Sequence, residues 1–416
     1  MSVRVAADAL VRHARELLTM AGELPAVDAR GSWDEAPLGL VRDGAVAAKD
    51  GVVVAVGTTA AVEAAVALDA GARVIDVGDA LVAPALVDCH THALFVGDRS
   101  DEYGLRVQGA TYAEIAARGG GIASSVRALR GASDDALLGA LRGRLDRMGA
   151  YGVGTVEVKT GYALDTAHEL RCLDLLRRCG ARVVPTFLPL HAVPPELRGV
   201  EGGRQRYLEI VRDEMLPAVV AQGSARFIDA YLDGPGFSVD EARPTLGRAR
   251  AMGLRARLHV GQFEDVGGAE LAAELGAASA DHLEHVSDGG LRAMAAAGVV
   301  GVLLPTAAFT LGQAMPDARR MRALGVEVAV ATDCNPGTSH NESLPLAVAF
   351  AVRQMGLTTV EAWWAVTRAA ARSLELPQGG VVTRGVPLAL SIFDLPSWQA
   401  LPSHLGGPLA PRRFLA

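Results

Sequence analysis

The sequence predicts an α/β chain: a (β/α)8 barrel of the TIM type with a small β-sandwich domain formed by the N- and C-terminal segments. Three observations predict it. Strand-like and helix-like stretches alternate eight times after residue 80. Polar side chains of the metal-binding type fall at the C-terminal ends of those strands. Both ends of the chain read as short strands punctuated by glycine.

The N-terminal end comes first. Asp43-Gly-Ala-Val-Ala-Ala-Lys-Asp-Gly-Val-Val-Val-Ala-Val-Gly57 is a pair of β-rich runs divided by Asp-Gly, a hairpin pattern. Eight strand-like runs follow, at 82–87, 155–158, 182–188, 226–232, 254–260, 278–285, 299–304 and 326–332. Most are nearly continuous in Val, Ile, Leu and Ala, as parallel strands are when both faces are covered. Helices lie between most of them. Asp165 opens one that stops at Gly180, and Ser238-Val-Asp-Glu241 and Thr358-Thr-Val-Glu361 are capping boxes opening two more. Repeated strand–helix alternation argues for a closed barrel. After Gln378 the chain is strand-like again, at Val381-Val382 and at 388–393. The expected division is 1–80 with 376–416 as the composite β-sandwich, and 81–375 as the barrel.

Composition excludes several classes. Half of the 416 residues are apolar, 21% are charged, and the net charge is −7 with both signs interspersed. No Lys/Arg stripe or basic tail offers a nucleic-acid surface. No run of about 18 uncharged apolar residues offers a membrane span. Charges interrupt the N-terminus before a signal-peptide core forms. Cys89, Cys172, Cys179 and Cys334 make no paired spacing, which predicts a reducing, cytoplasmic setting.

The strand ends carry the chemistry. The first ends in Asp88-Cys89-His90-Thr91-His92, the third near His191, the fifth at His259, the sixth at His282 and the eighth at Asp333. That face is where barrel enzymes build their active sites. His90 and His92, two apart on an extended strand, point the same way and can reach one ion. His259 and Asp333 complete a set of three imidazoles and a carboxylate. Such a set suits one divalent metal per chain, Zn2+ or iron (Fe2+/Fe3+), with a position left for water. The metal lowers the pKa of that water, which becomes the nucleophile. Asp333 can also accept its proton. His282 is read as a hydrogen-bond partner of the water or oxyanion, with a ligand role or a satisfied core histidine as the alternatives. Lys159, at the end of the second strand, is either a carboxylated bridge between two metals or an ion pair, and we read an ion pair. Arg99 is a candidate carboxylate binder or a surface arginine.

These motifs resemble the amidohydrolase superfamily, and within it the imidazolonepropionase family of histidine degradation. The resemblance runs over nearly the whole chain. It is carried by His90-Thr-His-Ala-Leu-Phe-Val-Gly-Asp-Arg99, by the stretch 111–122 ending Gly119-Gly-Gly-Ile122, by Val156-Glu-Val-Lys-Thr-Gly-Tyr162, by Asp213-Glu-Met-Leu-Pro217, by 267–276 and by Thr332-Asp-Cys-Asn-Pro-Gly337. It implies a homodimer acting on a small-molecule imidazolone carboxylate. The implied reaction opens 4-imidazolone-5-propanoate to N-formimidoyl-L-glutamate. It implies metal ligands at His90, His92, His259 and Asp333. It implies substrate contacts at Arg99, Tyr162, His191, Gln262, Asn335, Gly337 and Thr338, with His191 and His282 supporting the oxyanion. Three places depart from the family pattern: Gln262, where many members carry Glu; Pro189-Leu190; and Leu388-Ala389.

Two other functions compete. A nucleobase deaminase would use the same metal set on an exocyclic amine, but a base has no carboxylate tail for Arg99 to hold. A non-catalytic scaffold would keep the metal without turnover.

Overall fold

The structure, a computed structural model, describes residues 4–24, 34–110, 114–115, 119–409 and 412–415. From the N-terminal side come β1 (Val5–Leu18), β2 (Leu40–Lys49), β3 (Val52–Thr58), β4 (Val66–Asp76) and β5 (Leu81–Pro84). The β2–β3 turn is Asp50-Gly51, both at positive φ (50° and 75°). That backbone matches the twist of the strands it joins.

The barrel strands are β6 (Leu86–Asp88), β7 (Val153–Lys159), β8 (Val183–Leu190), β9 (Phe227–Leu232), β10 (Arg255–Val260), β11 (Ser279–His282), β12 (Val300–Leu303) and β13 (Val328–Val330). They form one sheet in chain order, and every neighbouring pair is parallel. The expected eight strands are all present, and the helices between them start as the sequence indicates. Asp165 accepts from the His168 N–H at the head of Thr166–Arg177. Both capping boxes are formed, on Val239–Ala251 and Thr359–Ala365.

The first strand is a correction. The run 82–87 is divided between two sheets: β5 pairs with β1, whereas β6 pairs with β7. Pro84 has no N–H to continue a ladder, and the chain changes sheets just past it. The seam between β6 and β13 is closed beyond the strand ends. Thr91 bridges Cys334, the His92 N–H donates to Cys334 O (2.9 Å), and the Asp333 N–H donates to His90 O (3.1 Å). The segments carrying the strand-one histidines and the strand-eight aspartate are therefore the ones that shut the barrel.

From the C-terminal side, β14 (Ala389–Phe393) and β15 (Arg412–Leu415) join β1–β5 in a seven-stranded sheet. Alternate residues of β2 face opposite ways. Val46 and Ala48 join one apolar cluster with Val82, Leu390 and Ile392, while Ala45 and Ala47 join another with Leu10 and Val62. Val381-Val382, expected as a strand, is not one. Gly380 and Gly385 take positive φ (67° and 89°) on either side, and Val382 makes a single backbone bond to Thr19 O (2.8 Å). Among the described residues no helix is long and apolar enough to cross a membrane.

Candidate active site

Strand ends set the site's geometry. His90 and His92 follow β6, His191 follows β8, His259 lies in β10, His282 ends β11, and Asp333 lies past β13. Asp333 and His282 leave the extended conformation for positive φ (51° and 82°). Such backbone costs on the order of 1 kcal/mol for a non-glycine residue and gathers at functional sites.

The imidazole nitrogens of His90, His92 and His259 that face one another all lie within 4.8 Å. Asp333 Oδ1 is 3.5 Å from Nε2 of both His90 and His92. All four side chains are buried. His90 Nε2 and Asp333 Oδ1 have no hydrogen-bond partner. Burial holds the three imidazoles well below their ordinary pKa, so they are neutral lone-pair donors at neutral pH. Burial pushes Asp333 up to about 7. Nε2 of His92 and of His259 have only each other, at 3.2 Å, and buried donors crowded together in this way fit a divalent cation.

Behind the imidazoles lies a layer of charge that the sequence reading misses. His90 Nδ1 is 2.6 Å from Asp281 Oδ2, and His259 Nδ1 is 3.0 Å from Asp229 Oδ1. The signal was available: Asp229 is the lone charge in Phe-Ile-Asp-Ala-Tyr-Leu, on the alternation that faces the barrel interior. Lys159 is an ion pair, as read, bonding to Glu157 Oε1 at 2.8 Å and lying 2.9 Å from Asp229 Oδ2. Burial alone would lower its pKa, but Asp229 and Glu157 outweigh that and raise it. Carboxylation would put another anion among these acids.

Above the histidines opens a cleft lined also by Arg99, Tyr162 and Gln262. His191 lines it, with its ring stacked 5.1 Å from that of His92 and its Nδ1 2.9 Å from Gly161 O. Burial depresses His191 to about 4, so it is neutral. Tyr162 stands beside both rings, 5.8 Å from His92 and 5.3 Å from His191. His282 faces Glu284, whose Oε1 is 3.7 Å from Nδ1. Burial opposes the charged form of His282, but Glu284 outweighs it and lifts the pKa. Gln262 accepts from Tyr231 Oη at 3.2 Å, and Tyr231, which also lines the cleft, is a residue the sequence reading misses.

In the same cleft, Arg99 is buried, not a surface arginine, with Nε 2.8 Å and Nη2 2.7 Å from Glu102 Oε2. A Cβ on Gly337 would meet Arg99 Nη1 at 2.3 Å, so glycine makes room for the guanidinium. Asn335 and Thr338 line the cleft as well. The Asn335 amide also folds its own loop, donating to Asp333 O and accepting from the Gly337 and Thr338 N–H groups. Pro189 and Leu190, which depart from the family pattern just before His191, do not line the cleft. Leu190 sits in the barrel core and Pro189 O accepts from Tyr207 Oη. Of the stretch 111–122, residues 111–113 and 116–118 lie outside the described residues, while Ile122 lines the cleft.

No family model matches the chain. Whole proteins do. An imidazolonepropionase of Myxococcus xanthus is 44% identical over 406 residues, 96% of this chain and 94% of the relative. One of Geobacillus kaustophilus is 41% identical over 402 residues, 95% and 94% of the two chains. One of Haloarcula marismortui is 42% identical over 405 residues, 96% and 92%. Solved structures share the fold at low identity. An adenosine deaminase from Xanthomonas campestris with bound zinc has a TM-score of 0.72 at 16% identity, covering 99% of this chain and 92% of its own. A guanine deaminase from C. acetobutylicum with bound guanine has a TM-score of 0.64 at 15% identity, covering 98% of each. With such identity along nearly its whole length, the chain belongs to the imidazolonepropionase family.

Proposed function

We propose that the cleft opens 4-imidazolone-5-propanoate by hydrolysis of its ring C–N bond, giving N-formimidoyl-L-glutamate. The observation that carries this is the meeting of a metal-type donor set with a buried arginine in one cleft. His90, His92, His259 and Asp333 would hold one divalent ion per chain, zinc or iron. Such an ion supplies Lewis acidity and makes water a stronger acid.

The chain's own groups do the rest. Arg99 holds the propanoate tail, a charge-assisted contact that a nucleobase cannot make. Tyr162, Asn335, Gly337 and Thr338 shape the rim around that tail. Gln262 orients the ring. Tyr231 donates to its Oε1, which turns its Nε2 donors toward the substrate. Asp333, raised to about 7, accepts the proton of the attacking water. His282, held toward its charged form by Glu284, stabilises the oxyanion as hydroxyl adds to the ring carbonyl carbon. Neutral His191, expected to share that role, instead gives its one N–H to Gly161 O and is left with Nε2 as an acceptor for the substrate. The C–N bond then breaks, and the ring nitrogen takes the proton.

A homodimer and a cytoplasmic location belong to the same reading. The first rests on the family resemblance, the second on four cysteines that are all free. The test is incubation with freshly prepared imidazolonepropanoate, following loss of ring absorbance and gain of one water by mass. Ammonia release from adenine or guanine without ring opening would favour a deaminase. Metal binding with no turnover of any of these would favour a scaffold.

A further inference from the structure

We propose that Lys159 is a positioning residue of the metal site: one buried ammonium fixes His259 and His90 together, through the carboxylates behind them. The proposal rests on the metal reading above and goes beyond it, because Lys159 touches neither the cleft nor any imidazole.

Lys159 ends β7, and its side chain is fully buried. Its Nζ lies 2.9 Å from Asp229 Oδ2 on β9 and 3.9 Å from Asp281 Oδ2 on β11. Alternate barrel strands supply these three side chains, which is how they come to share one interior layer. Each carboxylate reaches one imidazole, Asp229 to His259 Nδ1 at 3.0 Å and Asp281 to His90 Nδ1 at 2.6 Å. A carboxylate at Nδ1 keeps the proton there and leaves Nε2 as the lone-pair donor.

The cation is not interchangeable with its neighbour. Arg257 Nη2 lies 3.4 Å from Asp281 Oδ2 and its Nε lies 4.0 Å from Glu157 Oε1, so it serves the other two acids of the cluster. Among the described residues Lys159 is the one lysine or arginine within ion-pair distance of Asp229, and it is also bonded to Glu157. Asp229, Asp281 and Glu157 are all fully buried. Without a central cation they repel one another and move apart, carrying the two imidazoles with them.

A lysine that only neutralises charge would affect stability. A lysine that positions ligands must also affect the ion. The probe is Zn2+ affinity, measured by competition with a chromophoric chelator, together with the visible spectrum of the Co2+-substituted protein. Lys159→Gln keeps a donor for Glu157 and removes the charge. Zinc affinity is expected to fall by about 10- to 100-fold, the usual effect of losing a group that orients a ligand, and the cobalt bands should shift. An unchanged affinity and spectrum, with only a lower melting temperature, overturns the proposal. Should Lys159→Gln not fold, Asp229→Asn serves in its place, because it leaves the Lys159–Glu157 bond intact. It must weaken zinc as well, and an unchanged affinity there also overturns the proposal. Parent protein that takes up no metal would instead overturn the metal reading, and the proposal with it.

Discussion

Arg99→Ala separates substrate recognition from chemistry. The parent guanidinium is buried and donates from Nε to Glu102 Oε2 at 2.8 Å, with Nη2 2.7 Å from the same oxygen. Holding a carboxylate in a desolvated cleft is worth about 2–4 kcal/mol. At about 1.36 kcal/mol per tenfold, kcat/KM for imidazolonepropanoate should fall about 30- to 900-fold. The structure adds a complication, because the variant also strands the Glu102 carboxylate. Breaking a buried pair from one side costs about 3–5 kcal/mol of stability. The Arg99→Ala, Glu102→Gln double variant removes that stranded charge and should recover stability but not activity. The assay compares kcat/KM on the full substrate and on an imidazolone lacking the propanoate arm, at matched metal occupancy. The tail-less compound should be turned over nearly as well by the variant as by the parent. Equal losses on both compounds would refute a tail-binding role and make Arg99 a structural partner of Glu102.

Gln262→Ala should cost about 1–3 kcal/mol in kcat/KM, the penalty for an unmatched buried partner. Gln262→Glu should stay active and add an ionisation to the pH–rate profile; an unaltered profile would place residue 262 away from the reacting ring. Gly337→Ala puts a methyl 2.3 Å from Arg99 Nη1. It should reproduce the Arg99 defect, with at least a tenfold loss confined to the tailed substrate. Glu169, buried on the helix Thr166–Arg177, tests the electrostatics of the scaffold. Burial pushes it up to about 7 from 4.5, so the folded chain holds this proton more tightly than the unfolded chain. Its cost of ionisation therefore grows as pH rises from 4.5 to 7 and reaches about 3 kcal/mol above that. Glu169→Gln still accepts the Leu164 N–H and should raise the melting temperature at pH 8 but not at pH 4. A pH-independent effect would count against that assignment.

The barrel is legible because its strands are buried on both faces and read as unbroken apolar runs. The site is legible because a histidine or aspartate at the end of such a run has few other reasons to be there. Two kinds of feature escape. The first is the charge under the site. Asp229, Asp281 and Glu157 sit inside strands, where a single acid in an apolar run reads as noise until its partners on other strands are known. The second is what the chain does at a change of sheet. The run 82–87 has the composition of one strand, and only the pairing of β5 with β1 and β14 shows that it serves two sheets. Val381-Val382 fails for a local reason, since Gly380 and Gly385 turn the backbone on either side and Val382 makes its bond to Thr19 O, just past the end of β1. Tyr231 escapes because an aromatic residue in a strand is most often core, and its hydroxyl contact with Gln262 is visible only in space.

Metal content measured alongside ring opening on the same preparation tests the central claim most directly. The account predicts about one zinc or iron per chain in active protein. A chelator should remove the ion and the activity together, and stoichiometric metal should restore both. Undiminished ring opening by protein stripped of metal would contradict it.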